Sequence, residues 1–181
     1  RYVVFVTKHH DGYALWPSAV ANPARPGWNA PRDFVGELAD ATRERCMRLG
    51  LYYSGGIDWS FAPPPISSLL EFADPAPPGE GYARYVERHY RELIERYRPA
   101  VLWNDITSPR LVDAAALFAD YYAAVPDGVI NDRWSLDGTA PPTDFRTVEY
   151  DVRNEISEEK WEAVRGIGRT FGFNVNQSLA D

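Results

Sequence analysis

Short apolar runs alternate with helix-length amphipathic segments along this chain, and nearly every apolar run ends in polar or aromatic side chains. The first, Tyr2-Val3-Val4-Phe5-Val6, reads as a buried β-strand and opens onto Lys8-His9-His10-Asp11-Gly12-Tyr13-Ala14-Leu15-Trp16-Pro17-Ser18. Leu51-Tyr52-Tyr53-Ser54 reads as a second strand, leading through Gly55-Gly56 to Asp58-Trp59. Ala100 to Trp103 leads to Asn104-Asp105, Val129-Ile130 to Asp132-Arg133-Trp134, and an extended stretch from Asp144 to Glu149-Tyr150. Strands alternating with helices imply a parallel sheet covered by helices. A doubly wound nucleotide fold wants a glycine-rich turn running straight into a helix, and neither GxGxxG nor a P-loop is present. Chemistry gathered at many strand exits is instead the arrangement of a (β/α)8 barrel. The expected fold class is α/β, a partial TIM-barrel-like catalytic domain spanning residues 1–181 with no second domain.

The helices follow from apolar spacing. Asp33 to Leu49 is expected as a helix with Asp33 as N-cap and Gly50 just past its end. Cys46 then falls inside a helix, as a small buried hydrophobe. Tyr82 to Tyr97 and Leu111 to Val125 are expected as helices, with His89 beside the apolar stripe of the former and structural in role. Ser157 to Ile167 is read as a helix and Thr170 to Asn176 as a last strand. Pro63-Pro64-Pro65 and Pro75 to Pro78 mark a long loop between the second strand and its helix.

A net charge of −7 argues against a nucleic-acid or anionic-membrane partner. One cysteine excludes an internal disulfide and a multi-cysteine zinc site. No run reaches the apolar length of a membrane span. Aromatic residues make up 14% of the chain, which suits ring faces packing on sugars and suits an ordinary core equally well. The chain starts directly in a core strand, so it is expected to be an internal piece of a larger protein.

Two adjacent histidines are costly as core filler, because each buried ring nitrogen needs a partner. Successive strand residues face opposite ways, so His9 and His10 need a local irregularity to serve one site. As neutral imidazoles they suit sugar hydroxyls better than a shared metal ion, and neither a metal nor another cofactor is expected. Trp103 and Asp105 lie two apart and so share a face, as an attacking carboxylate and a ring shaping a sugar site would. Asp105 as the cap of the following helix is the plainer alternative. Glu149, among β-branched and aromatic neighbours, is a candidate general acid, because partly apolar surroundings can give a carboxyl the raised pKa that this role requires; a surface glutamate is the alternative. Arg133 is suited to hold a carboxylate or a hydroxyl, or to pair with Asp132.

These segments together resemble the family-29 glycoside hydrolases, the retaining α-L-fucosidases. Lys8-His9-His10-Asp11-Gly12 with Trp16 and Ser18 is similar to that family's histidine-pair motif. Leu51 to Trp59, Leu102-Trp103-Asn104-Asp105, Asn131-Asp132-Arg133-Trp134, and Trp161-Glu162 with Arg165 to Gly168 and Phe171 to Asn174 follow in the family's order. The resemblance implies Asp105 as nucleophile and His9, His10, Tyr52 and Trp103 as fucose-pocket residues. It places Arg133 near the acid/base and matches Glu149 to the acid/base segment of some members, although Asp151 to Ser157 departs from the turn often found there. It also implies that the first and last barrel strands are missing, and that the family's C-terminal β-sandwich lies beyond Asp181.

The implied function is exo-acting removal of terminal α-L-fucose from fucosylated oligosaccharides or glycoconjugates, by double displacement through a fucosyl-enzyme. The two carboxyl groups of such enzymes stand about 5–5.5 Å apart. Another retaining glycosidase, a metal-dependent barrel hydrolase and a non-catalytic carbohydrate-binding remnant are the competing readings. The family resemblance suggests a secreted, periplasmic or lysosomal setting. By itself the chain is expected to be poorly stable and inactive, with sheet edges exposed.

Overall fold

The computed structural model describes all residues except 62–64, 69–70, 72–74, 152, 167, 169–173 and 179–181. The described chain divides into two units, Arg1–Asp144 and Phe145–Asp181.

The first unit is built on four parallel strands in simple sequential order: β1 (Tyr2–Lys8), β2 (Arg48–Ser54), β3 (Val101–Asp105) and β4 (Val129–Ile130). Among the described residues the connections contain helices α1 (Phe34–Glu44), α2 (Glu80–Tyr97) and α3 (Ala114–Ala124). A sequential all-parallel order with helical crossovers is the repeating pattern of a β/α barrel wall. The alternation read from the sequence is therefore present.

The two faces of the sheet differ. Leu49, Leu51, Tyr53, Leu102 and Ile130 point to the helices and join their apolar stripes in one buried cluster. On α2 that stripe includes Val86, Tyr90 and Leu93, all fully buried. Each such side chain contributes about 1.5–3 kcal/mol when taken out of water. Tyr52, Ser54, Trp103 and Asp105 occupy the opposite face, in register across β2 and β3: Tyr52 beside Trp103, Ser54 beside Asp105. Gly50 lies on this face between Val4 and Val101, where a side chain would strike both.

Asp33 caps α1 as expected, its Oδ1 accepting from the Gly36 N–H at 2.8 Å. The helix ends earlier than the spacing suggested. Cys46 takes the left-handed conformation (φ 52°) just past the C-cap, and its side chain is exposed. The chain then enters β2 at Arg48, so the left-handed position falls on Cys46 while Gly50 serves the sheet. His89 is fully buried on α2, its Nδ1 sharing a 3.0 Å hydrogen bond with the Tyr53 hydroxyl. Burial is the main cause holding its pKa down to about 3, so it is neutral and structural.

The second unit contains β5 (Arg146–Glu149) and β6 (Trp161–Val164), a parallel pair. The helix expected over Ser157 to Ile167 is absent from its described residues, and β6 takes its place. Exposed and half-buried residues alternate along β6 with a period of two, and a short apolar pattern does not separate that from a helix turn. Of the last expected strand, residues 170–173 lie outside the described residues. Asn174 begins a turn in which the Gln177 N–H donates to its carbonyl at 3.0 Å.

Candidate active site

The expected site residues of the first unit gather at the carboxyl ends of β1 to β3 and just past β4. Asp105 is the last residue of β3 and is buried among polar groups. Its Oδ2 accepts from the Tyr52 hydroxyl at 2.6 Å, and its Oδ1 from Arg133 Nη1 at 3.0 Å. The cap of α3 is Asp113, whose Oδ1 accepts from the Ala116 N–H at 3.0 Å. Asp105 is thus not a helix cap but a carboxylate gripped by two donors. Burial above all, with the Asp105 carboxylate beside it, pushes the Tyr52 phenol far above its ordinary pKa. The phenol therefore stays protonated and donating.

An aromatic wall runs beside the carboxylate. Tyr52 stacks on Trp103, ring centres 5.2 Å apart and planes 24° apart, and on its other side His9 stacks at 5.5 Å and 7°. The Arg133 guanidinium lies 4.8 Å from the Trp103 ring centre while it holds Asp105, a dual contact that a planar cation permits. His10 is 4.1 Å from His9 between ring centres, and its Nδ1 lies 2.7 Å from Ser54 Oγ. Burial first, then the neighbouring His9, lowers the His10 pKa to about 4, so the ring is neutral near pH 7.

Both histidines reach one site because β1 carries a bulge. Val6 pairs with Tyr52 and Lys8 with Tyr53, so two steps of β1 oppose one step of β2. Thr7 is the extra residue, its hydroxyl donating to the Tyr52 carbonyl at 2.6 Å. Lys8 is thereby turned to the helix side, where its Nζ lies 4.6 Å from the Tyr53 ring centre and bonds Asp58 Oδ2 at 3.0 Å, both side chains fully buried.

Three supports were not assigned by the sequence reading, although their residues lay within its motifs. Asp58 neutralises Lys8 under the histidine loop. Asn104 donates from Nδ2 to the Arg133 carbonyl at 2.6 Å, and its backbone exchanges hydrogen bonds with the Asn131 side chain at 2.8 and 2.9 Å. Ser54 contacts His10. Glu92 on α2 lay outside any motif; it accepts from Trp16 Nε1 and the Ala19 N–H, pinning the far end of the histidine phrase. A polar residue on a helix otherwise read for its apolar stripe was the only available signal.

Glu149 belongs to the second unit, where it ends β5, pairs with Val164 and is exposed. Among the described residues, no group of three or more His, Cys, Asp or Glu is gathered as a metal ion would require. A separate cleft of about 360 Å³ between the loops at Thr107–Ala115 and Trp134–Pro141 contains none of the expected site residues. No helix among the described residues is long and apolar enough to cross a membrane.

The family model for alpha-L-fucosidase matches residues 1–181. The chain belongs to the alpha-L-fucosidase family. Human tissue alpha-L-fucosidase is 27% identical over the whole chain, which spans 40% of that relative. A Caenorhabditis elegans putative alpha-L-fucosidase is 30% identical over 90% of the chain and 34% of its own length. The Thermotoga maritima alpha-fucosidase, solved with a mechanism-based inhibitor, superposes with a TM-score of 0.85 at 40% identity, over 99% of this chain and 40% of that one. An alpha-L-fucosidase isoenzyme from Paenibacillus thiaminolyticus gives 0.73 at 26% identity, over 97% of this chain and 47% of that one. The parallel α/β fold is therefore that of the alpha-L-fucosidase family, and the chain spans about 40% of the length of the curated relatives it matches.

Proposed function

We propose that this chain carries the nucleophile side of a retaining, exo-acting alpha-L-fucosidase site within a (β/α)8 barrel. The observation that carries the reading is the Asp105 carboxylate, fixed by Tyr52 and Arg133 beside the Trp103 ring. In this reading an Asp105 oxygen attacks the anomeric carbon as the bond to the departing oxygen breaks. Glu149 supplies the proton to that oxygen. The fucosyl ester on Asp105 is then opened by water, whose proton passes back to Glu149, restoring both carboxyl groups.

The donors to Asp105 have a defined task. They hold the carboxylate in one orientation before attack, so that little reorganisation is needed at the reacting carbon. The stacked Tyr52 and Trp103 rings offer an apolar wall suited to the fucose C–H face and methyl group. His9 and His10 offer hydrogen bonds to ring hydroxyls. The Thermotoga maritima relative has been solved in complex with fucose, which supports a fucosylated oligosaccharide or glycoconjugate as the substrate class.

Asp105→Gly in the full-length protein tests the assignment. Hydrolysis of an aryl α-L-fucoside is expected to fall by several orders of magnitude, with azide restoring turnover as a fucosyl azide. Undiminished hydrolysis by the variant would remove Asp105 from the role. Faster hydrolysis of another aryl glycoside by the unaltered protein would favour a different retaining glycosidase, and loss of activity on adding EDTA a metal-dependent one.

A further inference from the structure

Ser54 is the last residue of β2 and stands beside Asp105 in the ladder. Its hydroxyl has one proton, and that proton is committed: Ser54 Oγ donates to the Ile57 carbonyl at 2.8 Å. The same oxygen lies 2.7 Å from His10 Nδ1. With its proton given to Ile57, the serine oxygen can only accept at that contact. His10 Nδ1 must then carry the ring proton, and in a neutral imidazole Nε2 is left as a lone-pair acceptor.

The rest of the loop keeps this orientation. The His10 carbonyl accepts from the Trp59 N–H at 2.7 Å, and the Trp59 ring meets the imidazole edge-on at 5.9 Å. His9 packs against its other side. Among the described residues His10 Nε2 has no hydrogen-bond partner. It is also not one of the fully buried atoms lacking one, so an incoming group can reach it.

We propose that Ser54 is a positioning residue that locks His10 in its Nδ1–H tautomer, making His10 an acceptor that selects a substrate hydroxyl able to donate. This rests on the fucoside reading only for the identity of the hydroxyl. A serine at this place is therefore more than a turn closure. It passes the polarity of the Ile57 carbonyl through one hydroxyl and one ring to the sugar. A substrate hydroxyl that gives its proton to His10 keeps its lone pairs for donors elsewhere in the pocket, so the orientation of one hydroxyl is fixed from the far side of the loop.

The test uses the full-length protein with histidine labelled in 15N, the His10 signals being assigned by their loss in a His10→Gln variant. Two-bond proton–nitrogen spectra at pH 7 should show His10 Nδ1 protonated and Nε2 bare. In Ser54→Ala the ring is expected to move to a mixture of tautomers or to Nε2–H, and fucose binding by calorimetry to weaken about three- to tenfold. Ser54→Thr, which keeps the hydroxyl, should preserve both. A His10 ring with Nε2–H in the unaltered protein overturns the proposal. So does Ser54→Ala with the tautomer unmoved, even if the variant melts earlier, because a purely structural serine would do that. If the tautomer is as expected and fucose does not bind the unaltered protein, the fucoside reading fails while the assignment of His10 as acceptor stands.

Discussion

Tyr52 reaches diagonally across the sheet to Asp105: it pairs with Trp103 in the ladder, yet its hydroxyl donates to the carboxylate two residues further along β3. The bond is 2.6 Å long and buried. Tyr52→Phe removes the donor and leaves the stacked ring. Hydrogen bonds to charged groups contribute about 1.5–3 kcal/mol, so kcat/KM for an aryl fucoside is expected to fall about ten- to a hundredfold. The melting temperature should change far less. Steady-state kinetics and a thermal melt on the same preparation check both halves.

Arg133 meets Asp105 with one nitrogen and Trp103 with its plane. Lysine keeps the charge and loses the planar fork. Arg133→Lys is therefore expected to lose at least tenfold in kcat/KM in the full-length protein. Activity equal to that of the unaltered protein would show that charge alone suffices.

Asn104 fastens three things at once: the Tyr90 hydroxyl at 2.5 Å, the Arg133 carbonyl at 2.6 Å and, through its backbone, Asn131. Asn104→Ala leaves buried partners unsatisfied, at a cost of about 1–3 kcal/mol each. Urea denaturation should show a lower midpoint, and activity should fall with it because Arg133 loses its seat.

Gly12 has φ 78°, and a side chain there would run into Asp58 Oδ1. Gly12→Ala is expected to destabilise by about 1–3 kcal/mol and to displace Asp58 from Lys8. A variant as stable as the unaltered protein in urea would show that the loop can move aside.

Stability should also fall in acid. His10 and His89 have pKa values held down to about 4 and about 3 in the folded chain, below the unfolded value of about 6.5. Between those limits the unfolded chain binds more protons, so stability present above pH 6.5 is lost as pH drops toward 4 and below. His89→Gln should flatten that decline in thermal melts recorded from pH 7 to pH 4.

The strands, helices and inner-face residues of the first unit were legible because long periodic segments and strand alternation leave little choice. Trp103 and Asp105 share a face for that reason alone. Helix ends were less legible: Gly50 looked like a stop, yet Cys46 took the left-handed position and Gly50 went to close packing between Val4 and Val101. Trp161 and Val164, three apart, fit the helical period, yet β6 places them on opposite faces, one exposed and one half-buried. Ser54, Asn104 and Asp58 acquired their tasks only in three dimensions, since hydrogen bonds over 27 to 50 residues leave no local trace.

The bulge at Thr7 sets the phase of everything that follows it on β1. Were Thr7 instead to pair with Tyr53 as an ordinary ladder residue, strict alternation would resume, sending the Lys8 ammonium toward the Tyr52 and Trp103 rings and His9 toward the helices. The face bearing Tyr52 and Asp105 would gain a cation that Asp58 no longer neutralises, and the packed face would gain an imidazole. One residue left out of the ladder thus selects which chemistry the strand delivers, as the reading frame does in a message. It makes the pairing register before the histidine pair, as much as the pair itself, part of what specifies this site.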